Sequence, residues 1–315
     1  MPRDDDSRPS SDQAHVPAFR PGLAIGLRMG SILTTALLAV VVKLAASRGA
    51  NPLEIVFYRY AFSLPLVTAW VLSSGGVGAI GTTRLSGHIV RAVVGMCAML
   101  AVFMTVSALP LAEATTILFT APLIATVLSI IVLREAVGLH RWLAIALGVV
   151  GMLIMIQPGG HHGLKPGGVA LGLLAAFLTA MSTITIRQLG ATETAPGMVF
   201  WFTLIGTLAT GLAMPFYVQR HDATTWLLLG SACLVGTAGQ IMITSALRYA
   251  PVSVLAPFEY SQLLWATLFG WLIWSNLPSG PTLIGAAFIG GAGLYTFYRE
   301  HLRPRPGIAE ITALS

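Results

Sequence analysis

Residues 104–112 read M-T-V-S-A-L-P-L-A, and residues 242–250 read M-I-T-S-A-L-R-Y-A. Five of the nine positions agree: Met104 with Met242, Ser107 with Ser245, Ala108 with Ala246, Leu109 with Leu247 and Ala112 with Ala250. Each copy closes one apolar run and leads straight into the next. The chain therefore carries an internal duplication, and the unit that was duplicated is apolar almost throughout.

Working outward from those copies, only 10% of the residues are charged and 55% are hydrophobic, with a mean hydropathy of +0.79. A water-soluble chain carries about 25% charged residues, so this composition cannot build a water-facing surface. Ten apolar runs can be placed, at 24–46, 53–73, 87–108, 112–133, 139–156, 167–186, 196–217, 224–247, 252–274 and 281–298. Each approaches the ~20 residues that cross a ~30 Å hydrocarbon layer. They are read as helices, because lipid offers no partner to an open backbone. They are continuous rather than alternating, which excludes a β-barrel. Cys97 and Cys233 fall within runs and read as small packing residues.

The net charge of +6 does not point to nucleic acid, because the basic residues are sorted by side. With the N-terminus inside, Arg3, Arg8, Arg20, Arg84, Arg91, Arg134, Arg141, Arg187, Arg248, Arg299, Arg303 and Arg305 fall on inner segments. Arg48, Lys165 and Arg220 fall on outer loops, and Arg28, Lys43 and Arg59 lie within spans. That is the positive-inside bias, and it predicts a multi-pass protein of the cytoplasmic membrane with both termini cytoplasmic. Residues 1–22, with Asp4, Asp5 and Asp6, read as a disordered tail, and 299–315 as a second tail.

Five spans per half is an odd number, so the second half must run inverted relative to the first. The loops agree: Leu109 to Leu111 carries no basic residue where its counterpart holds Arg248. The link after span 4 carries Arg134 and Arg141, where Ser275 to Gly280 carries none. The expected domains are a five-helix repeat over 23–158 and a second over 166–298. Inverted repeats of this kind are how many secondary transporters are built. Gly148 and Gly151 align with Gly290 and Gly293 after a four-residue shift, and Gly285, Ala286, Ala287 and Gly291 extend the smooth surface. Small residues let helices approach closely in lipid. That surface suits either packing inside the monomer or the seam of a homodimer.

Three stretches carry a family resemblance. Glu54-x-x-Phe57-Tyr58-Arg59, the segment from Ala108 through Pro122 to Arg134-Glu135, and Ala246-Leu247-Arg248-Tyr249-Ala250-Pro251 resemble the EamA-type branch of the drug/metabolite transporter superfamily. The resemblance covers about 24–298. It implies ten helices in two inverted repeats around a central cavity, working by alternating access on a small organic molecule. His88-Ile89-Val90-Arg91 and Arg141-Trp142 are similar to S-adenosylmethionine carriers, and riboflavin carriers share much of the pattern. Many members place an acid near Asn276; this chain does not.

The residues that could carry transport are the polar ones that a span should not tolerate. A charge near a span centre costs at least ~2.5–3.5 kcal/mol. Arg28 and Lys43 lie about four residues from span ends and are expected to snorkel to the headgroups. Arg59 and Glu259 lie roughly 9 and 10 Å deep at 1.5 Å per residue, too deep to reach water along lipid. A pair between those two does not follow from sequence, because their depths differ by roughly 10 Å in a ~30 Å core. Glu259 sits in Ala256-Pro257-Phe258-Glu259-Tyr260-Ser261-Gln262, with Trp265 one turn on. Pro257, and Pro122 in the first half, predict helix breaks near the midplane, the usual place of a transport site. Glu259 has Ala121 opposite it in the first repeat, so the predicted site is asymmetric. Gln240, Tyr58, Ser182, Thr183, Thr185, Phe103 and Phe119 complete the candidates for substrate contact. Glu259 either binds a cationic part of the substrate or carries a coupling proton.

Other classes fit less well. A membrane enzyme needs a catalytic constellation beside the spans, and the clustered acids lie in the tail. No phosphate-binding loop G-x-x-x-x-G-K-[ST] is present to drive transport by ATP. No ring of acids marks a channel filter. His161 and His162 lack further ligands for a metal. The expected partners are a small-molecule substrate and the lipid bilayer, with no nucleic acid, cofactor or metal. Export of drugs or amino acids is the alternative to metabolite uptake.

Overall fold

The computed structural model describes residues 21–133, 139–156, 165–189, 192–249, 258–259 and 261–302. Among these the regular structure is helical: α1 (Pro21–Ser47), α2 (Pro52–Gly75), α3 (Leu85–Ala108), α4 (Leu111–Leu118), α5 (Ala121–Leu133), α6 (Leu139–Ile156), α7 (Pro166–Leu189), α8 (Ala195–Tyr217), α9 (Ala223–Tyr249), α10 (Ser261–Trp274) and α11 (Gly280–Leu302), with one 3₁₀ turn at Val77–Ile80. Six stretches (Gly22–Ser47, Pro52–Ser73, Leu85–Ala108, Pro166–Ile186, Pro196–Tyr217 and Ala223–Ile243) are long and apolar enough to cross a membrane. Leu212 and Phe216 are 80% and 84% exposed. Large apolar side chains laid bare along spanning helices face lipid rather than water. The chain is an all-helical, multi-pass membrane protein.

Helix ends inside a bilayer need partners that water cannot supply. Asn51 caps α2, its side chain accepting from the Leu53 N–H at 2.9 Å, while its own N–H donates to Glu54 at 3.1 Å. Thr194 caps α8 by accepting from Gly197 N–H at 3.2 Å, and Asp222 caps α9 by accepting from Thr225 N–H at 3.1 Å. The Lys43 ammonium donates to the carbonyls of Val106 (3.0 Å) and Leu109, the loose carbonyls closing α3. A cation there also meets the negative end of the helix dipole. Lys43 therefore does not snorkel to the headgroups. Its ammonium is held inward, 5.5 Å from the Trp274 ring centre, because a helix terminus lies within its reach.

The fourth apolar run is broken. Leu118 ends α4, Phe119 and Thr120 form a turn in which the Thr120 N–H bonds Ile117 carbonyl at 3.0 Å, and α5 starts at Ala121. Pro122 occupies the first turn of α5, where its missing N–H costs nothing. Pro257, Tyr260, His161 and His162 lie outside the described residues, as do 1–20 and 303–315; of the expected tails, 21–22 belong to α1 and 299–302 continue α11.

Packing is pairwise: α1 lies along α9, α3 along α7, α2 along α8, α6 along α11, and α4 against α10. Two glycines of the predicted seam, Gly151 and Gly285, are used inside the monomer. A Cβ on Gly151 would stand 2.8 Å from the Gly285 carbonyl oxygen, and one on Gly285 would stand 2.5 Å from the Gly151 oxygen. The two backbones touch, so this smooth face is occupied within one chain. Gly291 faces outward, and a methyl added there would meet nothing within 4 Å.

A histidine–carboxylate contact closes each end of the bundle. At one end the fully buried Glu54 accepts from the Gln219 N–H (2.8 Å) and meets His221 Nε2 at 3.1 Å, tying α2 to the α8–α9 link. At the other end Glu193 accepts from the Thr82 hydroxyl at 2.9 Å, and His88 Nε2 lies 3.3 Å from it, in charge contact but out of line for a hydrogen bond. Glu54→Ala strips the acceptor from Asn51 N–H, Gln219 N–H and His221 together. We expect a loss of roughly 2–4 kcal/mol in a fold where each orphaned buried donor costs about 1–3 kcal/mol, read as the thermal midpoint in nanodiscs.

Burial pushes the Glu193 carboxyl up, but the Thr82 hydroxyl and His88 outweigh it and hold the group below its ordinary value of 4.5. A carboxyl depressed in the fold lends stability above 4.5 that is lost as pH falls through its lower folded value. Trp201, whose ring lies 6.1 Å from His88, reports this end by fluorescence. Its acid transition is expected below pH 4.5 in the wild type and absent in Glu193→Gln; an identical transition in both would contradict the assignment.

Candidate functional site

Two cavities meet at Arg59. The larger, about 370 Å³, lies among α1, α3, α4, α9 and α10, and is lined by Arg28, Phe103, Thr115, Gln240, Glu259 and Gln262 among others. The smaller, about 150 Å³, lies among α2, α3, α8 and α9, with Tyr60, Ser63, Arg91, Phe202 and Thr237 on its walls. Arg59, Gly236 and Gln240 line both. A Cβ on Gly236 would sit 2.8 Å from Arg59 Nε. Only glycine leaves the guanidinium room to pass between the helices at that point.

Glu259 lies in a short 3₁₀ turn just before α10 and pairs with Arg28 of α1. Arg28 is 8% exposed. The expectation that it snorkels to headgroups is thus corrected, because a carboxylate inside the bundle is a better partner than a distant phosphate. The Glu259 side chain is 47% open, facing the cavity. It can bind Arg28 and still present an oxygen to a ligand. Arg59 donates to the Met99 sulfur and stands 6.0 Å from the Phe103 ring centre, so its described contacts are a thioether and a π face.

Of the residues singled out by sequence, the fold brings Glu259, Arg59, Gln240 and Gln262 to one cavity, with Phe103 beside them. Thr183, Thr185 and Phe119 line neither cavity, and three others pack elsewhere. Tyr58 packs in an aromatic cluster with Phe57, Phe62 and Trp226, its centroid 5.1 Å from the Trp226 ring. Trp265 stacks on Phe269 at 6.0 Å. Ser182 lies against Gly95 of α3, and its carbonyl accepts from Thr185 at 2.7 Å. Helix rotation decides which way a side chain points, and it turns these three from both cavities. Tyr260 lies outside the described residues.

Sequence reasoning misses Arg91, Tyr60, Ser63, Phe202 and Thr237. By sequence Arg91 sorts with the inner-loop cations, yet α3 begins at Leu85 and Arg91 is 9% exposed inside it. The signal is available: an arginine six residues into an apolar helix is as costly as Arg59. Glu113, 6% exposed and accepting from Thr282 at 3.4 Å, escapes the same way, being close to a predicted span end.

The sequence profile of the EamA-like transporter family matches residues 22–157 and again 166–298. The chain is 28% identical to a riboflavin transporter of Vibrio cholerae, over 76% of this chain and 81% of that one. It is 27% identical to a pseudopaline exporter of Pseudomonas aeruginosa, over 75% and 82%. It is 23% identical to an S-adenosylmethionine uptake transporter of Rickettsia prowazekii, over 86% and 90%. A solved crystal structure superposes with a TM-score of 0.60 at 17% identity, over 89% of this chain and 99% of that one, which speaks for the fold alone. With that profile matched over both stretches, which together take in most of the sequence, this chain belongs to the EamA-like transporter family.

Proposed function

We propose that this protein is a secondary transporter that moves a small organic metabolite across the cytoplasmic membrane by alternating access. The observation that carries this reading is the cavity itself, where Glu259, Arg59, Gln240 and Gln262 converge within a lipid-embedded bundle. The cargoes named for similar proteins, riboflavin, S-adenosylmethionine and pseudopaline, favour a metabolite, and carriers rather than enzymes. They include both uptake and export, so direction is a matter for measurement.

The scaffold is read as ten spans in two inverted five-helix repeats, 23–158 and 166–298, with both termini cytoplasmic. Helix pairing supports this. Taking α4 and α5 as one span, exchange of the halves converts the α1–α9 contact into the α7–α3 contact, and returns α2–α8, α6–α11 and α4–α10 to themselves. The basic-residue bias supports the orientation, with eleven inner cations once Arg91 is moved into α3 (twelve less one). In the transport cycle Glu259 exchanges Arg28 for a cationic part of the cargo or for a proton. Reconstitution into proteoliposomes tests this, using a panel of flavin, nucleoside-like and amino-acid solutes with and without a pH gradient. Protein-dependent accumulation of at least one is expected; none above protein-free vesicles in either direction would refute the reading.

A further inference from the structure

We propose that the smaller cavity is an oxyanion site, taking the carboxylate or phosphate of a ligand whose apolar body lies against Phe202 and Trp70. Guanidinium groups stay protonated in proteins, and an ion inside a membrane bundle must be matched. Arg28 is matched by Glu259 and Lys43 by two carbonyls. Among the described residues Arg91 is not: its Nε and Nη1 are buried without a hydrogen-bond partner there, and its guanidinium lies 4.5 Å over the Phe202 ring. Arg59, on the same wall, has among the described residues the sulfur and ring contacts given above. Among the described residues, no Asp or Glu lines this cavity. The hydroxyl of Tyr60, 4% exposed, is a third donor there without a partner.

Buried polar groups in folded proteins are nearly always paired. Here two arginines and a phenol face one cavity, and the described residues around it supply no anionic acceptor. The planar fork of arginine fits the two oxygens of a carboxylate or phosphate. The ring beneath Arg91 is seated with care, since a Cβ on Gly95 would come within 2.6 Å of Phe202. It backs the guanidinium on one side. Trp70 and the Ser63–Thr237 hydroxyl pair (2.9 Å) line the same space.

If the ligand is cargo, the inference rests on the transport reading, and Arg59 joins its anionic end to the cavity of Glu259. The other source of the same chemistry is a phospholipid headgroup, because Leu66 and Ile241 on this cavity are 46% and 54% exposed towards lipid.

The test uses the full chain in phosphatidylcholine nanodiscs and does not require transport, so a failure of transport leaves its result standing. Thermal unfolding is followed with 3-phenylpropionate, with its uncharged amide, and with inorganic phosphate against chloride at matched ionic strength. The acid and phosphate are expected to raise the midpoint by roughly 2–4 °C and the amide much less. Arg91→Lys should retain the preference and Arg91→Gln lose it. Mass spectrometry of protein purified from its membrane separates the sources: a phospholipid retained by wild type and lost in Arg91→Gln assigns the oxyanion to a headgroup, and its absence assigns it to a solute. Equal effects of acid and amide together with no retained phospholipid, or an acid preference unchanged in Arg91→Gln, would overturn the proposal.

Discussion

Replacing Glu259 by Gln lowers the rate of solute accumulation in proteoliposomes by at least about tenfold, the equivalent of 1.4 kcal/mol. The substitution keeps size and removes charge, so it separates the carboxylate's chemistry from its packing. It also leaves Arg28 unmatched. Breaking a buried ion pair costs about 3–5 kcal/mol, and because Glu259 is half open we expect about 1–3 kcal/mol in stability. The double variant Arg28→Met with Glu259→Gln distinguishes the two effects. Removing both charges should return much of the stability, since a buried pair replaced by apolar groups is often neutral. Transport should stay lost, because the group that cargo or proton contests is gone. Recovery of transport in the double variant would reduce Glu259 to a structural counter-ion.

Gly285→Val should destabilise the fold by about 2–3 kcal/mol, in the upper part of the range for overpacking. A methyl at Gly285 would lie 2.5 Å from the Gly151 carbonyl and 2.8 Å from Met155 Cβ, so α6 and α11 must part along their length. Backbone cannot step aside as a side-chain tip can. Gly291→Ala, on the same helix with open space around it, should change the midpoint by no more than the ~0.5 kcal/mol of an ordinary surface change. Thermal unfolding with mass photometry decides the matter. A Gly285→Val protein that keeps its midpoint but changes its oligomeric mass would move the seam from within the monomer to a dimer.

The class of fold is legible in the sequence because lipid forces it. Runs of some twenty apolar residues can only be helices, and Pro122 marks the break near Thr120. The polar residues of the spans are only half legible. That Arg59 and Glu259 must face inward follows from cost, but their neighbours depend on contacts far apart in sequence. Arg28 meets Glu259 across 231 residues and Glu54 meets His221 across 167. No local pattern encodes such distances. Tyr58, Trp265 and Ser182 have suitable chemistry, but their direction depends on helix rotation, which a weakly amphipathic span does not reveal. Arg91 escapes for the converse reason: closeness to a span end does not guarantee access to water.

The break between α4 and α5 also bears on how the protein is made. A ribosome delivers segments to the membrane one at a time, and neither Leu111–Leu118 nor Ala121–Leu133 reaches the ~20 residues of an autonomous span. At the head of that segment Glu113 finds its hydroxyl donor on Thr282, 169 residues further along the chain. That part of the chain is thus finished only when α11 has arrived. Nascent chains stalled before that helix hold the Glu113 carboxyl without its Thr282 donor.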